Sequence, residues 1–300
     1  MTRRPQIALL ADGKRLHLQD GPIDLIVEAN GREADVRAVY EAAARRFNGL
    51  LDELCAELTE LRKAADSTRT ALQGAVARRM HAAVAPFAAD CFITPMAAVA
   101  GSVAEEILGA MLMAAPLDRA YVNNGGDIAL HLAGGERFTV GLMDRPDAQG
   151  VMRTITVDAD DAIRGIATSG RHGRSFSLGI ADAVTVLART ASQADAAATV
   201  IANAVDLPGH SAILRVAANE LQPDSDLGDR LVTRGVGGLT ESEIEAALEA
   251  GSRCARQLLA AGLIEGAALR LLGETIVVGA RGMARPHPLH EPPIQHAIHA

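Results

Sequence analysis

The sequence is poor in aromatic side chains and has no excess of positive charge. It contains no Trp, two Tyr and five Phe, and its 29 Lys and Arg residues are outnumbered by 37 Asp and Glu, which gives a net charge of -8. Proteins that bind nucleic acid neutralise phosphates with basic side chains, and many stack bases on aromatic rings. These absences argue against nucleic acid, and against an anionic membrane surface, as a partner.

Cysteine is also scarce. Cys55, Cys91 and Cys254 are separated by long stretches of chain, a spacing that fits neither a disulfide framework nor a paired-cysteine metal site. The sequence therefore favours a reducing compartment, and we expect the protein to be cytoplasmic.

No apolar run has the length and purity of a membrane span. The stretch 7–11 is too short for the apolar region of a signal peptide. Residues 95–116 form the most apolar segment, but Glu105 and Glu106 interrupt it and Ala and Gly dominate it. We expect this segment to be a buried helix rather than a transmembrane span.

What the sequence does contain is enough apolar material for a sizeable core. Hydrophobic residues make up 49% of the 300 residues and charged residues 22%, as in ordinary globular proteins. Apolar alternation and helical spacing predict an α+β fold, with a mixed or antiparallel sheet packed by long helices. Strands are predicted at 7–10, 16–18, 23–27, 120–122, 128–132, 137–142, 151–157, 163–167 and 183–187 and as a pair at 268–278; helices are predicted at 35–63, 67–85, 95–113, 192–205 and 241–259.

The domain organisation follows from where the pattern ends. Residues 1–280 read as a single domain, with two lobes sharing a cleft as the alternative, and residues 281–300 as a flexible Pro- and His-rich tail. The four tail histidines suit either loose metal binding or plain solvation; they are His287, His290, His296 and His299. The small residues after Pro95 would allow close packing inside the chain or a homodimer interface.

Two loops are rich in the residues that build ligand sites. At 123–127 the chain reads Asn-Asn-Gly-Gly-Asp between two predicted strands, which indicates a hairpin turn whose glycines let a ligand approach and whose Asp127 could anchor it. At 168–175 the chain reads Thr-Ser-Gly-Arg-His-Gly-Arg-Ser. Its hydroxyls, backbone N–H groups and arginines suit an anion such as phosphate, although a solvated loop has the same composition.

Two further places carry candidate chemistry. Asp195 and Thr199 lie four residues apart in a predicted helix, so both face the same side and offer oxygen ligands to Mg²⁺, or else form an exposed pair. Cys91 and Thr94 precede the small-residue helix, where a helix dipole would lower a thiol pKa and favour a thiolate. The alternative for Cys91 is a structural cysteine.

Three of these segments, taken together and in order, resemble the ApbE-like superfamily, the fold of the FAD:protein FMN transferases. The match rests on Asn-Gly-Gly-Asp-Ile at 124–128, Ala-Thr-Ser-Gly at 167–170, and Ala-Asp-Ala at 194–196 followed by Thr199. The resemblance is clear over residues 86–205 and weaker at the flanks.

The resemblance implies a cofactor and a set of site residues. Members with known activity take FAD, use Mg²⁺ and transfer FMN to a threonine of a target protein with release of AMP. By this resemblance Asp195 and Thr199 would hold the metal. The residues placed beside the nucleotide or flavin would be Asn124, Gly125, Gly126, Asp127, Thr168, Ser169, Gly170 and Arg171.

The sequence departs from the transferases after the Ala-Thr-Ser-Gly segment. The transferases carry a His-Ile-Ile-Asp-Pro stretch there, whereas this chain passes from Ser177 directly to Leu-Gly-Ile-Ala-Asp-Ala at 178–183. Residues 94–101, 182–186 and 226–228 instead resemble a cytoplasmic branch of the superfamily with no assigned reaction.

Three functional hypotheses follow from these observations. The first is a protein that binds a phosphorylated nucleotide- or flavin-like small molecule with Mg²⁺, with a pterin-like ring as another ligand of that kind. The second is Mg²⁺-dependent FAD:protein FMN transfer, with Asp127 as a candidate catalytic residue. The third is a sulfur relay in which Cys91 carries a persulfide.

Overall fold

The computed structural model describes residues 5–142, 153–279 and 297–299. Its largest feature is a sheet of nine strands in which every neighbouring pair is antiparallel. In spatial order these strands are β1 (Gln6–Leu9), β2 (Leu16–Asp20), β3 (Ile23–Asn30), β4 (Arg119–Asn124), β5 (Asp127–Leu132), β8 (Gly165–Ser169), β9 (Ala183–Ala188), β12 (Gly266–Leu271) and β13 (Glu274–Gly279). The predicted α+β class is confirmed, and the main sheet is antiparallel throughout.

Two smaller sheets complete the strand set. β6 (Arg137–Leu142) pairs antiparallel with β7 (Arg153–Asp158) and parallel with β14 (Ala297–His299). β10 (Ile213–Ala217) and β11 (Leu231–Val236) form a separate antiparallel ribbon, which the sequence analysis did not predict. The predicted flexible tail and three of its histidines lie outside the described residues, apart from the short strand β14.

The described residues form eight α-helices. They are α1 (Glu33–Phe47), α2 (Leu50–Ala56), α3 (Leu58–Leu61), α4 (Ala75–Val84), α5 (Val99–Ala114), α6 (Ala191–Ala204), α7 (Ala218–Leu221) and α8 (Glu241–Ala260). The capping box predicted at the start of α8 is present, with Thr240 and Glu243 bonded to each other's backbone N–H groups.

The single long helix predicted at 35–63 is wrong, because the chain forms three helices there. Gly49 adopts a left-handed conformation with φ 82°, which ends α1 and begins α2. The inward apolar spacing continues across the break, since Leu50, Leu54 and Leu61 are all buried. Periodicity alone therefore could not reveal the interruption.

The helix predicted at 67–85 is shorter than expected. The Asp66 carboxylate accepts hydrogen bonds from the backbone N–H groups of Thr68 and Arg69, a local turn that competes with helix formation. Glu57 then accepts from the N–H of Gly74 at 2.7 Å, and α4 begins at the next residue. Pro86 lies in a 3₁₀ turn that follows α4 directly.

The helices cover one face of the sheet and the small three-stranded sheet covers part of the other. Buried residues of β2 and β3 pack with α1, α4 and α5 in one apolar cluster, and those of β8, β9 and β12 pack with α6 and α8 in a second. On the opposite face, β4 and β5 pack against Phe138, Val140, Ile155 and Val157 of β6 and β7.

The small-residue segment after Pro95 is a core helix. Within the described residues, Pro95–Ala114 is the one helical segment long and apolar enough to cross a membrane by length and composition. However, Val103, Ala104 and Ile107 are fully buried, and a Cβ on Gly101 would collide with the carbonyl oxygen of Ala191. The close approach is thus made within the chain, to α6, and the homodimer interface remains a prediction.

Candidate functional site

The Gly-Gly segment forms the hairpin turn predicted for it. Asn124 pairs with Asp127 at the end of the β4–β5 ladder, and Gly125 and Gly126 both have positive φ values, 65° and 112°. Two-residue hairpin loops favour this conformation, which glycine adopts without strain. The turn places the side chains of Asn124 and Asp127 at the same end of the sheet.

The end of β8 lies beside this hairpin. The backbone N–H of Thr168 donates to Oδ1 of Asp127 at 3.2 Å, and its hydroxyl lies 2.9 Å from the hydroxyl of Thr185 on β9. Ser169 ends the strand, and a Cβ on Gly170 would collide with the carbonyl oxygen of Asp182. The structure therefore brings together the first two of the predicted ligand segments.

The third predicted ligand segment, with Asp195 and Thr199, lies on α6 beside the β4–β5 hairpin. Oδ2 of Asp195 accepts a hydrogen bond from the N–H of Gly101 at 2.9 Å, in the first turn of α5. Thr199 lies one turn further along α6, on the same side as Asp195. Asp195 thus has a structural role, because it satisfies backbone donors that a helix N-terminus leaves without partners.

Asn124 connects the hairpin to the same turn of α5. Its Nδ2 donates to the carbonyl oxygen of Ala100 at 3.2 Å, while its Oδ1 is buried and has no hydrogen-bond partner among the residues that the structure describes. The side chain is only 4% exposed. A buried amide oxygen without a donor is costly, so this atom is suited to a bound cation or to a donor group of a ligand.

The two carboxylates of the site disfavour each other's ionisation. Burial raises the pKa of Asp127 to about 7, against the opposing effects of the Thr168 N–H and the positive charge of Arg174. Burial, and secondly the charge of Asp127, raises the pKa of Asp195 well above its ordinary value. A divalent cation between them would remove this repulsion.

The donor set fits a hard cation better than a soft one. Among the described residues there is no group of three or more His, Cys, Asp and Glu side chains arranged to hold a metal. The oxygens available are the carboxylates of Asp127 and Asp195, the amide oxygen of Asn124 and the hydroxyl of Thr199. Mg²⁺ is commonly held by one or two carboxylates, with waters and ligand phosphates in its other positions.

The two arginines of the loop after β8 have different surroundings. Arg171 donates from Nε to Oδ1 of Asp182 at 2.9 Å and forms an ion pair with it at 2.5 Å, and Nε2 of His172 lies 3.4 Å from the same oxygen. The guanidinium of Arg171, which is expected beside the ligand, is thus bonded to a carboxylate of the chain itself. Arg174 is exposed and lies over the hairpin, since a Cβ on Gly125 would collide with its Nη2.

Cys91 does not have the environment expected for a reactive thiolate. A 3₁₀ turn at Pro95–Ala98 separates it from α5, which begins at Val99. Its sulfur donates to the carbonyl oxygen of Phe87. Although the residue as a whole is exposed, partial burial of the thiol and the nearby charge of Asp90 raise its pKa. The predicted lowering by a helix dipole is therefore wrong.

Two residues that position the site were missed by the sequence analysis. Glu105 accepts from the backbone N–H and the hydroxyl of Ser192, at 2.6 and 2.8 Å, in the first turn of α6. Asp182 accepts from the N–H of Leu272 in addition to holding Arg171. The signal for Glu105 was its charge within an otherwise apolar segment, and that for Asp182 was its place in the 182–186 segment that resembles the cytoplasmic branch.

Comparisons with known proteins agree with the motif resemblance. The family model described as AbpE bacteria matches residues 7–277. A UPF0280 protein of Methanopyrus kandleri is 35% identical over 182 residues, which cover 60% of this chain and 69% of that protein. A UPF0280 protein of Methanococcoides burtonii is 40% identical over 130 residues, which cover 40% of this chain and 49% of that protein, about half its length.

One solved structure was also compared with this chain. The crystal structure of the ApbE protein from Thermotoga maritima superposes with a TM-score of 0.44 at 13% sequence identity, covering 94% of this chain and 99% of that one. The family model spans nearly all of the main sheet, from β1 to β13. Because this model covers residues 7–277, the chain belongs to the AbpE bacteria family, and it is similar to UPF0280 proteins.

Proposed function

We propose that the protein binds a phosphorylated nucleotide- or flavin-like small molecule together with Mg²⁺, at the site formed by the β4–β5 hairpin, the end of β8 and the start of α6. One observation carries the proposal. The carboxylates of Asp127 and Asp195 interact unfavourably in a buried position, next to the partnerless amide oxygen of Asn124. Two buried carboxylates and an amide oxygen in one place are best satisfied by a divalent cation.

The residues around the carboxylates suit the rest of the ligand. The hydroxyls of Ser169 and Thr199 and the exposed guanidinium of Arg174 are donors to phosphate oxygens. Bound Mg²⁺ would neutralise phosphate charge and stabilise the charge that develops in phosphoryl chemistry. FAD is the probe that the family suggests, and a pterin-like ring is the other ligand of this kind.

Isothermal titration of the purified protein with FAD, with and without Mg²⁺, tests the proposal. We expect binding that requires Mg²⁺. The variant Asp195→Asn keeps the size of the side chain and one acceptor for the Gly101 N–H, yet removes one negative ligand, so we expect it to weaken Mg²⁺-dependent binding by about tenfold or more.

Asp160→Asn is the matched control, because Asp160 is an exposed residue in the turn between β7 and β8. We expect this variant to bind as the parent does. Equal Mg²⁺ dependence in Asp195→Asn and the parent would contradict the metal assignment, and no binding of FAD by the parent would contradict a flavin nucleotide as the ligand.

The same samples separate binding from catalysis. AMP released together with FMN covalently attached to protein would extend the proposal to FAD:protein FMN transfer, and AMP with free FMN would indicate hydrolysis of FAD, whereas FAD recovered unchanged would restrict the proposal to binding. The environment of Cys91 gives no support to the sulfur relay, because its raised pKa disfavours the thiolate that such chemistry needs.

A further inference from the structure

Two arginines of the loop after β8 differ in what neutralises them. Arg171 is part-buried and bonded to the Asp182 carboxylate, which also lies beside His172. Arg174 is exposed and forms no ion pair with a carboxylate in the described part of the chain. Its hydrogen-bond acceptor there is the carbonyl oxygen of Pro22, at 3.4 Å from Nη1.

The guanidinium of Arg174 lies over the β4–β5 hairpin, near Asp127. It covers Gly125 so closely that a Cβ at that position would collide with Nη2, and its positive charge acts on Asp127. A guanidinium offers five N–H donors in a planar fork, and one long bond to a carbonyl leaves most of them without an acceptor among the described residues. The group is therefore positioned and available for an anion.

We propose that Arg174, and not Arg171, binds the phosphate of the ligand, so that the site selects phosphate- or pyrophosphate-bearing molecules over their unphosphorylated analogues. This inference rests on the proposed function for its metal. The Mg²⁺ at Asp127 and Asp195 would take some phosphate oxygens from one side, and Arg174 would donate two hydrogen bonds from the side of the β4–β5 hairpin. Paired donation of this kind is the geometry in which guanidinium recognises phosphate.

Inorganic pyrophosphate with Mg²⁺ is the probe for the first test, because it carries the proposed recognition element and nothing else. In isothermal titrations we expect Arg174→Gln to weaken pyrophosphate binding about tenfold to a hundredfold, the loss of two charge-assisted hydrogen bonds. Arg174→Lys keeps the positive charge but lacks the planar pair of donors, so its affinity for pyrophosphate should lie between those of the parent and Arg174→Gln. Arg253→Gln, an exposed arginine of α8, makes the same charge change and should bind as the parent does.

A second measurement tests metal binding independently of phosphate binding. Mn²⁺ binding alone, followed by electron paramagnetic resonance, should be the same in the parent and Arg174→Gln but weaker in Asp195→Asn. Loss of pyrophosphate binding in Arg174→Gln with Mn²⁺ binding unaffected by Asp195→Asn would support Arg174 and refute the metal site of the proposed function. Pyrophosphate bound equally by Arg174→Gln and the parent, or not bound by the parent at all, would overturn the role of Arg174.

Discussion

Gly101 allows the first turn of α5 to lie against the first turn of α6, the contact on which the candidate site is built. A methyl group there would meet the backbone of Ala191, which cannot move as a side chain can. Gly109 lies on the same helix, and a Cβ there would meet no atom within 4 Å. Packing therefore requires glycine at position 101, whereas no contact requires it at position 109.

This contrast gives a paired prediction. Gly101→Ala should destabilise the protein by about 1–3 kcal/mol or more, because the overlap must be relieved by separating the helices. Gly109→Ala should stabilise it by roughly 0.5–1 kcal/mol through helix propensity alone. Urea unfolding followed by circular dichroism measures both, and equal shifts for the two variants would show that the close approach is not required.

The residues of the site were predictable to different degrees. Asp127 and Asp195 could be found because each belongs to a motif in one short segment. Their interaction could not, since it depends on β5 and α6 meeting in three dimensions. The choice between Arg171 and Arg174 was equally inaccessible, because Asp182, which pairs with Arg171, lies in a different segment of the loop.

At the scale of elements, α5 and α6 cap each other. Asp195 of α6 accepts from the N-terminal turn of α5, and Glu105 of α5 accepts from the N-terminal turn of α6. Each helix thereby supplies a carboxylate to the positive end of the other's dipole. Glu105 is itself held by Arg79 of α4, at 3.3 Å. The backbone donors beside the candidate site are thus fixed by side chains from two neighbouring helices.

The capping box of α8 predicts a pH dependence of stability. Hydrogen bonds from the Thr240 N–H, from His210 and from the Thr240 hydroxyl lower the pKa of Glu243 from its ordinary 4.5 to about 2. A carboxylate whose pKa is lower in the folded state adds stability above its unfolded pKa and loses that contribution as the pH falls through the folded value. We expect the melting temperature of Glu243→Gln to lie below that of the parent at pH 6 and to approach it as the pH falls from about 4.5 to about 2.

Glu245→Gln is the control for this prediction, since Glu245 is exposed on the same helix. Its melting temperature should follow that of the parent at every pH. A constant difference between Glu243→Gln and the parent across the whole range would mean that the carboxylate charge is not what stabilises the helix start.

Helices and strands were predictable where turn or capping residues mark them in the local sequence, and prediction failed where such residues do not. The hairpins around Gly125 and Gly273 and the start of α8 follow from turn and capping residues. The β10–β11 ribbon was missed because a register shift at Leu214 and Arg215 interrupts its alternation. The break at Gly49 was missed because the apolar residues on either side keep the spacing of one helix.

At the scale of the whole molecule, the ion pairs of α5 indicate whether this apolar helix belongs to the core or to a membrane. Glu106 bonds to Arg46 of α1 at 2.6 Å and to Arg79 of α4 at 2.9 Å. These ion pairs tie the helix to its neighbours and would be broken by insertion into lipid, where unpaired charge is expensive. The helix is accordingly part of the protein core.

The cytoplasmic location predicted from the sequence can be tested on this basis. After lysis and high-speed centrifugation without detergent, we expect the protein in the supernatant. Recovery in the membrane pellet, with release by detergent and not by salt, would contradict both the location and the role of α5 in the core.

The order of strands in the main sheet has a consequence for how the chain reaches this structure. Val27 pairs with Val122 and Val186 with Ala267, so β3 and β9, each already paired on one edge, gain their second neighbour only after a long stretch of further chain has been made. Contacts of such high sequence separation are slow to form, because closing the long loop costs chain entropy before the strand contacts contribute any stabilisation. On the ribosome, β3 and β9 therefore wait with open edges. Folding should be slow and largely post-translational, and most exposed to aggregation just before the last strands emerge.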